Sequence, residues 1–412
     1  MTQSGTNRRR TYIDILDDDS LLNIFYHCRP PVPLMEGDDD GVDLWGGRWE
    51  CGYWWYRFSW VCHRWRCLIF ASPSYLGISL VFKTGKPVAN MLAHSPPFPL
   101  IIDHQLGSNS AVEDIILLAL KHRDRVQRIR FWAYVTLPEK VMEAIDEEFL
   151  LLEYLYIRPP IMTMLSPNSN LSLPSTLQAP HLRHLVLFRY AFPMGSPFLA
   201  GLVTLSLQDV NPSASLGPNE LLQQLSLMSH LETFVITFHP ALSSQDANGE
   251  SWQIPLLTEC ILPNLRWFGF EGRSAYMEAV LPRITMPLLR VTEIMFGTSH
   301  LLDLPSSILF TLQSIYKMEN PRLCNVKVRF FELPITLVMY PQKCTSMPIL
   351  RVDLSCLDVN SNRGYTAQLF DGIRMVLTEV EVLTLEDKRP CGIYKSSAFS
   401  TVCAKFLGRL SK

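Results

Sequence analysis

Beyond residue 110 the apolar positions recur in a loose pattern, apolar-x-x-apolar-x-apolar. Its first positions fall at 126, 152, 182, 202, 231, 265, 291, 323, 349 and 380. Leu182, Leu185 and Leu187 make a clear copy, as do Leu202, Leu205 and Leu207, and Leu265, Phe268 and Phe270. Alternation of this kind predicts a strand with one buried face. Between the strands lie stretches with helical spacing, at residues 111–122, 138–150 and 219–228. A second sign repeats with the first: P-x-L-R stands at Pro180–Arg183, Pro263–Arg266, Pro287–Arg290 and Pro348–Arg351. Proline there is expected to start a strand, where no ladder N–H is lost. Ile78, Leu80 and Phe82 alternate and predict one earlier strand.

The first eighty residues follow a different period. From Asp18 onward, Leu21, Leu22 and Phe25 fall at i+3, i+4 and i+7, the stripe of an amphipathic helix. Asp17, Asp18 and Asp19 sit where carboxylates favour a helix start. Pro30, Pro31 and Pro33 end the pattern. Phe58, Val61, Cys62, Trp65, Leu68 and Ile69 predict a second helix with one apolar face, stopped at Ala71-Ser72-Pro73.

Composition narrows the class. Apolar residues make up 48% of the chain and charged residues 18%, which is a folded composition. The net charge of −2 provides no global field to recruit nucleic acid or an acidic membrane, and neither is expected as a partner. The 10 cysteines include no C-x-x-C pair, so they read as reduced core thiols of a cytoplasmic or nuclear protein. Arg8, Arg9 and Arg10 are followed by acids rather than by an apolar core, so residues 1–10 are expected to be a disordered tail. The acidic, Trp-rich stretch 29–57 lacks a calcium-loop spacing and reads as a solvated insertion. His63 and Cys67, four apart, could share a metal from one helix, but two ligands make no site. No G-x-S-x-G, H-E-x-x-H, P-loop or dinucleotide-binding run is present, so no catalytic residue, cofactor or metal is expected. A triad assembled in space remains an open alternative.

Three segments of the N-terminal region together resemble an F-box. They are Asp18-Asp19-Ser20-Leu21-Leu22-Asn23-Ile24-Phe25, Val61-Cys62-His63-Arg64-Trp65-Arg66-Cys67-Leu68 and Ala71-Ser72-Pro73. The resemblance implies a small helical module over residues 11–75 that docks on a Skp-type adaptor and joins a cullin–RING ubiquitin ligase. It assigns adaptor contacts to Leu16, Leu21, Leu22, Ile24, Phe25, Val61, Trp65 and Leu68. The chain has Leu16-Asp17 where the family usually has Leu-Pro. An ordinary two-helix packing unit is the alternative.

The later period, about 28 residues, is similar to that of leucine-rich repeats. Tyr190, Val210 and Arg273 stand where that family has an asparagine after the strand. The expected fold is therefore α/β: the helical F-box-like module, a bridging segment at 76–110, and an irregular leucine-rich-repeat-like solenoid of alternating strands and helices over 111–412. A nonrepetitive α/β domain is the alternative. The outward strand positions would form a binding face. Its first part offers Arg128, Arg130, Trp132, Tyr154, Tyr156 and Arg158, basic and aromatic, suited to an acidic or phosphorylated segment of an unknown protein target. The function expected is substrate reception for the ligase, without catalysis. A repeat scaffold that never meets a ligase is the alternative.

Overall fold

The computed structural model describes residues 15–29, 54–83, 88–106, 110–133, 139–158, 172–174, 176–191, 194–210, 217–238, 259–272, 274–289, 291–296, 323–330, 334–341, 350–355 and 382–387. The tail at 1–10, most of the acidic insertion and Arg273 lie outside these residues.

The chain is mixed α/β with a mostly parallel sheet. Its strands are β1 (Leu80–Lys83), β2 (Leu100–Leu106), β3 (Val126–Ala133), β4 (Tyr154–Arg158), β5 (His184–Phe188), β6 (Thr204–Val210) and β7 (Thr233–Phe238). After the short β8 (Cys260–Ile261) come β9 (Trp267–Gly272), the short β10 (Ile284–Thr285) and β11 (Val291–Phe296). The last four are β12 (Leu323–Phe330), β13 (Pro334–Pro341), β14 (Leu350–Ser355) and β15 (Val382–Asp387). From β1 to β11 the order in the main sheet follows the chain and each pair is parallel; β8 and β10 pair separately. Beyond β11 the order becomes β14, β13, β12, β15, with β13 antiparallel to both neighbours.

Residues 76–110, read as a bridge, carry the first two strands of this sheet. Leu80 pairs with Leu100, and Ile102 with Ile129. The strand expected from Ile78, Leu80 and Phe82 is β1, and its run Leu80–Phe82 is buried on both faces.

Two apolar rows cross the sheet in register. One runs Ile129, Leu155, Leu185, Leu205, Phe234, Phe268; the other Phe131, Ile157, Leu187, Leu207, Ile236, Phe270. All are buried in a single core. Helices between the strands bring Ile116, Val141, Leu221, Leu222 and Leu225 to that core. Helix neighbours helix along the chain: Ser110–Leu120 lies against Val88–His94 and Glu139–Ile145, and Pro218–Ser226 against Ser274–Val280. The helix expected over 138–150 ends at Ile145, because the backbone then turns to join Gln178, whose carbonyl accepts from the Phe149 N–H.

One backbone device repeats before the strands. The N–H of Val126, Leu182, Leu202, Leu231, Leu265 and Leu289 each donates to the carbonyl three residues back, closing a turn. Pro180, Pro263 and Pro287 fall at the second position of such turns, where a fixed φ is favourable. The proline therefore builds the turn ahead of the strand; it does not start the strand. The carbonyls of Glu153, Arg183, Val203 and Glu232 each then accept two N–H groups from the next unit. Leu289 rather than Val291 is thus the counterpart of Leu265, and Val291 pairs with Trp267. The apolar count at 291 lies two residues late, an error that keeps every side chain on its correct face.

The buried residues of the N-terminal module, Leu21, Phe25, Trp55 and Ile69, belong to the same core as the sheet. Asp17 caps the helix Asp18–His27 by accepting from the Ser20 N–H at 2.7 Å, a bond that lowers the Asp17 pKa. The second expected helix is two. Tyr56–Ser59 closes at Trp60 and Val61, Cys62 is extended, and a new helix runs His63–Ala71. Arg66 Nε holds the break by donating to the Ser59 carbonyl at 3.0 Å. Arg64 ties the two parts together, donating to the Asp18 carboxylate at 2.7 Å and to the Leu16 carbonyl at 2.6 Å. Phe98, just before β2, packs against Trp55 and Phe70, which joins module and sheet.

Candidate functional site

The eight residues that the resemblance assigns to an adaptor divide by burial. Leu21 and Phe25 are fully buried, and Phe25 packs edge-on to Trp65 at 4.9 Å and against Phe58 at 5.5 Å. Leu16, Leu22, Trp65 and Leu68 are half-buried against the same core. Ile24 and Val61 are free, at 45% and 60% exposure. So Leu21 and Phe25 spend their surface on this chain's own core, and the expected contact through them is corrected. A helix this short needs one full stripe inside merely to stay folded. Exposed aromatic groups that the sequence reading passed over stand nearby in the chain: Trp60 at 68%, and Tyr26, Tyr56 and Tyr75. Tyr26 and Tyr75 lie with ring centres 5.5 Å apart, and Tyr56 and Trp60 5.1 Å apart.

The second surface is the sheet face opposite the helices. Strand alternation puts Arg128, Arg130 and Trp132 there, and register sets Tyr154, Tyr156 and Arg158 beside them in that order. His184, Val186 and Phe188 continue the rows, followed by Thr204, Ser206 and Gln208 on β6. All six residues expected on this face are thus brought together. Tyr154, Tyr156 and Val186 form a small apolar cluster with Trp132 and Phe188 against it. The Arg130 guanidinium lies 4.0 Å from the Trp132 ring centre and 5.3 Å from that of Tyr156. The Arg158 guanidinium sits 4.9 Å above Phe188. Phe188 and Val186 were absent from the sequence list although they share the parity of Tyr156 and Arg158 along the register.

The face is graded from deep to open. Arg130 is 5% exposed, while Trp132, Arg158, Phe188 and Gln208, at the carboxyl end of the strands, are half-exposed. Burial lowers the pKa of Arg128, offset in part by Glu153. Burial first, then the Arg128 charge, lowers that of His184, whose Nδ1 is 3.1 Å from Thr204 Oγ1.

Other chemistry-bearing groups stay apart. Cys67 Sγ lies 3.6 Å from His63 Nδ1 on an exposed helix face, without a third ligand. Among the described residues no group of three or more His, Cys, Asp or Glu could hold a metal ion. Burial pushes the Cys260 thiol up to about 11, so it is no nucleophile at neutral pH. His104, on the helix side of β2, is pushed down to about 4 by burial. Among the described residues no helix is long and apolar enough to cross a membrane.

Compared with protein-family models, with curated proteins and with solved structures, the chain matches none.

Proposed function

We propose that this chain is the target-receiving subunit of a cullin–RING ubiquitin ligase, working in the cytoplasm or nucleus. In this reading the N-terminal module is an F-box that holds a Skp-type adaptor. The sheet is a degenerate leucine-rich-repeat array whose open face holds a protein target. The chain then acts by tethering, raising the concentration of target near the ubiquitin-loaded enzyme, and needs no catalytic residue. The observation that carries the reading is the leftover apolar surface of the module. Ile24, Trp60 and Val61 remain outside although Leu21, Phe25 and Ile69 already supply a core. Trp60 and Val61, adjacent in the chain, and Ile24 are the apolar side chains this reading gives to the adaptor. The chain-ordered parallel strands and their repeated turns support the second half of the reading.

The test is co-purification of the full chain with a Skp-type adaptor. Replacing both Ile24 and Val61 by Asp removes the adaptor and leaves the thermal melt unchanged. Retention of the adaptor by that double variant sinks the docking surface; failure of the unaltered chain to bind any Skp-type adaptor sinks the ligase reading. A second reading, a repeat scaffold outside any ligase, draws support from Leu21 and Phe25. Two positions that the resemblance gives to the adaptor are closed inside the chain.

A further inference from the structure

We infer that Cys67, with His63 beside it, is a thiol-exchange site: a glutathione-type disulfide forms a mixed disulfide there and so releases the adaptor. The release rests on the module being the adaptor-binding surface; the thiol chemistry stands apart from it.

The cysteines read from the sequence as core thiols. Among the described ones, Cys28, Cys62 and Cys67 are exposed, and Cys260 is buried. Of these four, Cys67 alone has an imidazole against its sulfur. Its Sγ lies 3.6 Å from His63 Nδ1 and 3.7 Å from His63 Nε2. Either nitrogen is in reach of the thiol proton, so the contact does not depend on the tautomer. The two residues stand four apart on the helix His63–Ala71, and helical spacing keeps them on one face. Both are exposed, so a disulfide in solution reaches the sulfur. That helix carries Arg64 and Arg66 and no carboxylate, so nothing on it repels an anionic sulfur or the carboxylates of glutathione. The Asp18 carboxylate, from the first helix, is held by Arg64.

The exchange balances without a further reactant. His63 accepts the thiol proton as the Cys67 sulfur attacks one sulfur of the disulfide. The S–S bond breaks, and the departing glutathione thiolate takes the proton from the imidazolium. Cys67 is oxidised to the mixed disulfide and one glutathione is reduced. Cys62 does not resolve the product. It lies five residues back, about 7.5 Å along the helix axis, beyond the reach of an unstrained disulfide. An added thiol is therefore what reverses the modification. Cys67 stands in the chain between Trp65 and Leu68, two residues given to the adaptor. The bound tripeptide, bulky and charged, is set beside that contact.

The test incubates the reduced full chain with oxidised glutathione and follows each cysteine by peptide mass spectrometry. Cys67 is expected to be modified about tenfold or more faster than Cys28 and Cys62, which share its exposure but lack the imidazole contact. His63→Gln brings Cys67 to the rate of those two and leaves theirs unchanged. Circular dichroism of the variant matches the unaltered chain, and dithiothreitol removes the adduct. Modification of Cys67 no faster than of Cys28 and Cys62 overturns the inference, as does a Cys67 rate untouched by His63→Gln. Adaptor co-purification is read on the same samples. The modified chain loses the adaptor, and a Cys67→Ser chain treated alike keeps it. A modified chain that keeps the adaptor overturns the release. An unmodified chain that binds no adaptor removes the ligase reading and leaves the thiol result in place.

Discussion

The sheet and the helical module use apolar residues in opposite ways. In the sheet, Leu205 and Leu207, one from each row, are flanked in register by apolar residues of both neighbouring strands, and both rows are buried. In the module, helices of 10 and 9 residues bury one stripe and leave Ile24, Val61 and Trp60 outside. Adjacent parallel strands each offer their neighbours the same apolar positions in register. The module meets the sheet through Trp55, Phe70 and Phe98, and Ile24, Trp60 and Val61 stay exposed.

The largest expected effect tests the enclosed side of this contrast. Leu205→Ala empties the middle of a row and costs about 2–5 kcal/mol, read as a fall in denaturation midpoint. Val61→Ser, on the open side, moves the same midpoint by less than about 0.5 kcal/mol. Equal effects would erase the distinction.

Next comes His104, a basic group enclosed on the helix side of the sheet. Its folded pKa of about 4 lies below the usual 6.5. Between those values the unfolded chain binds the extra proton and the folded chain does not. Stability is therefore whole above about pH 6.5 and declines toward pH 4, by up to about 3 kcal/mol. Urea denaturation at pH 7.5 and pH 4.5 measures the loss, and His104→Leu flattens it. A loss of the same size in that variant would place the sensitivity elsewhere.

The smallest effect concerns the ends of two strands in the middle of the sheet. Arg189 and Asp209 occupy equivalent positions after β5 and within β6, both with positive φ, at 60° and 57°. Arg189 Nε donates to Asp209 Oδ2 at 2.5 Å, and the Asp209 N–H donates to Thr237 Oγ1 at 2.8 Å. Asp209→Ala costs about 1–2 kcal/mol, from the lost pair and from the left-handed backbone. Asp209→Gly recovers the backbone share, so a midpoint for Gly no higher than for Ala would show that φ contributes nothing there.

Much of the sheet is legible in the sequence, because its code is local. Each counted position from 126 to 380 falls at or within two residues of an observed strand start. The turn Pro180–Arg183 even carries the phase, and at 287 it marked the unit better than the apolar count did. Missed was β2, whose run Leu100–Ile102 is buried on both faces and leaves too little contrast to read. The helix break at Cys62 was hidden too, since Val61 and Trp65 keep a helical spacing across an extended residue.

By itself the sequence determined the α/β alternation, the parity that puts Arg128, Arg130, Trp132, Tyr154, Tyr156 and Arg158 on one face, and the two amphipathic stripes of the module. These follow from periods of 2 and 3.6, which need no knowledge of neighbours. Only the tertiary structure decided that Phe25 turns inward while Val61 turns outward. It also decided that Arg158 rests on Phe188, and that residues 76–110 open the sheet. Enclosure and stacking depend on which distant segment arrives alongside, and a one-dimensional pattern carries no record of that.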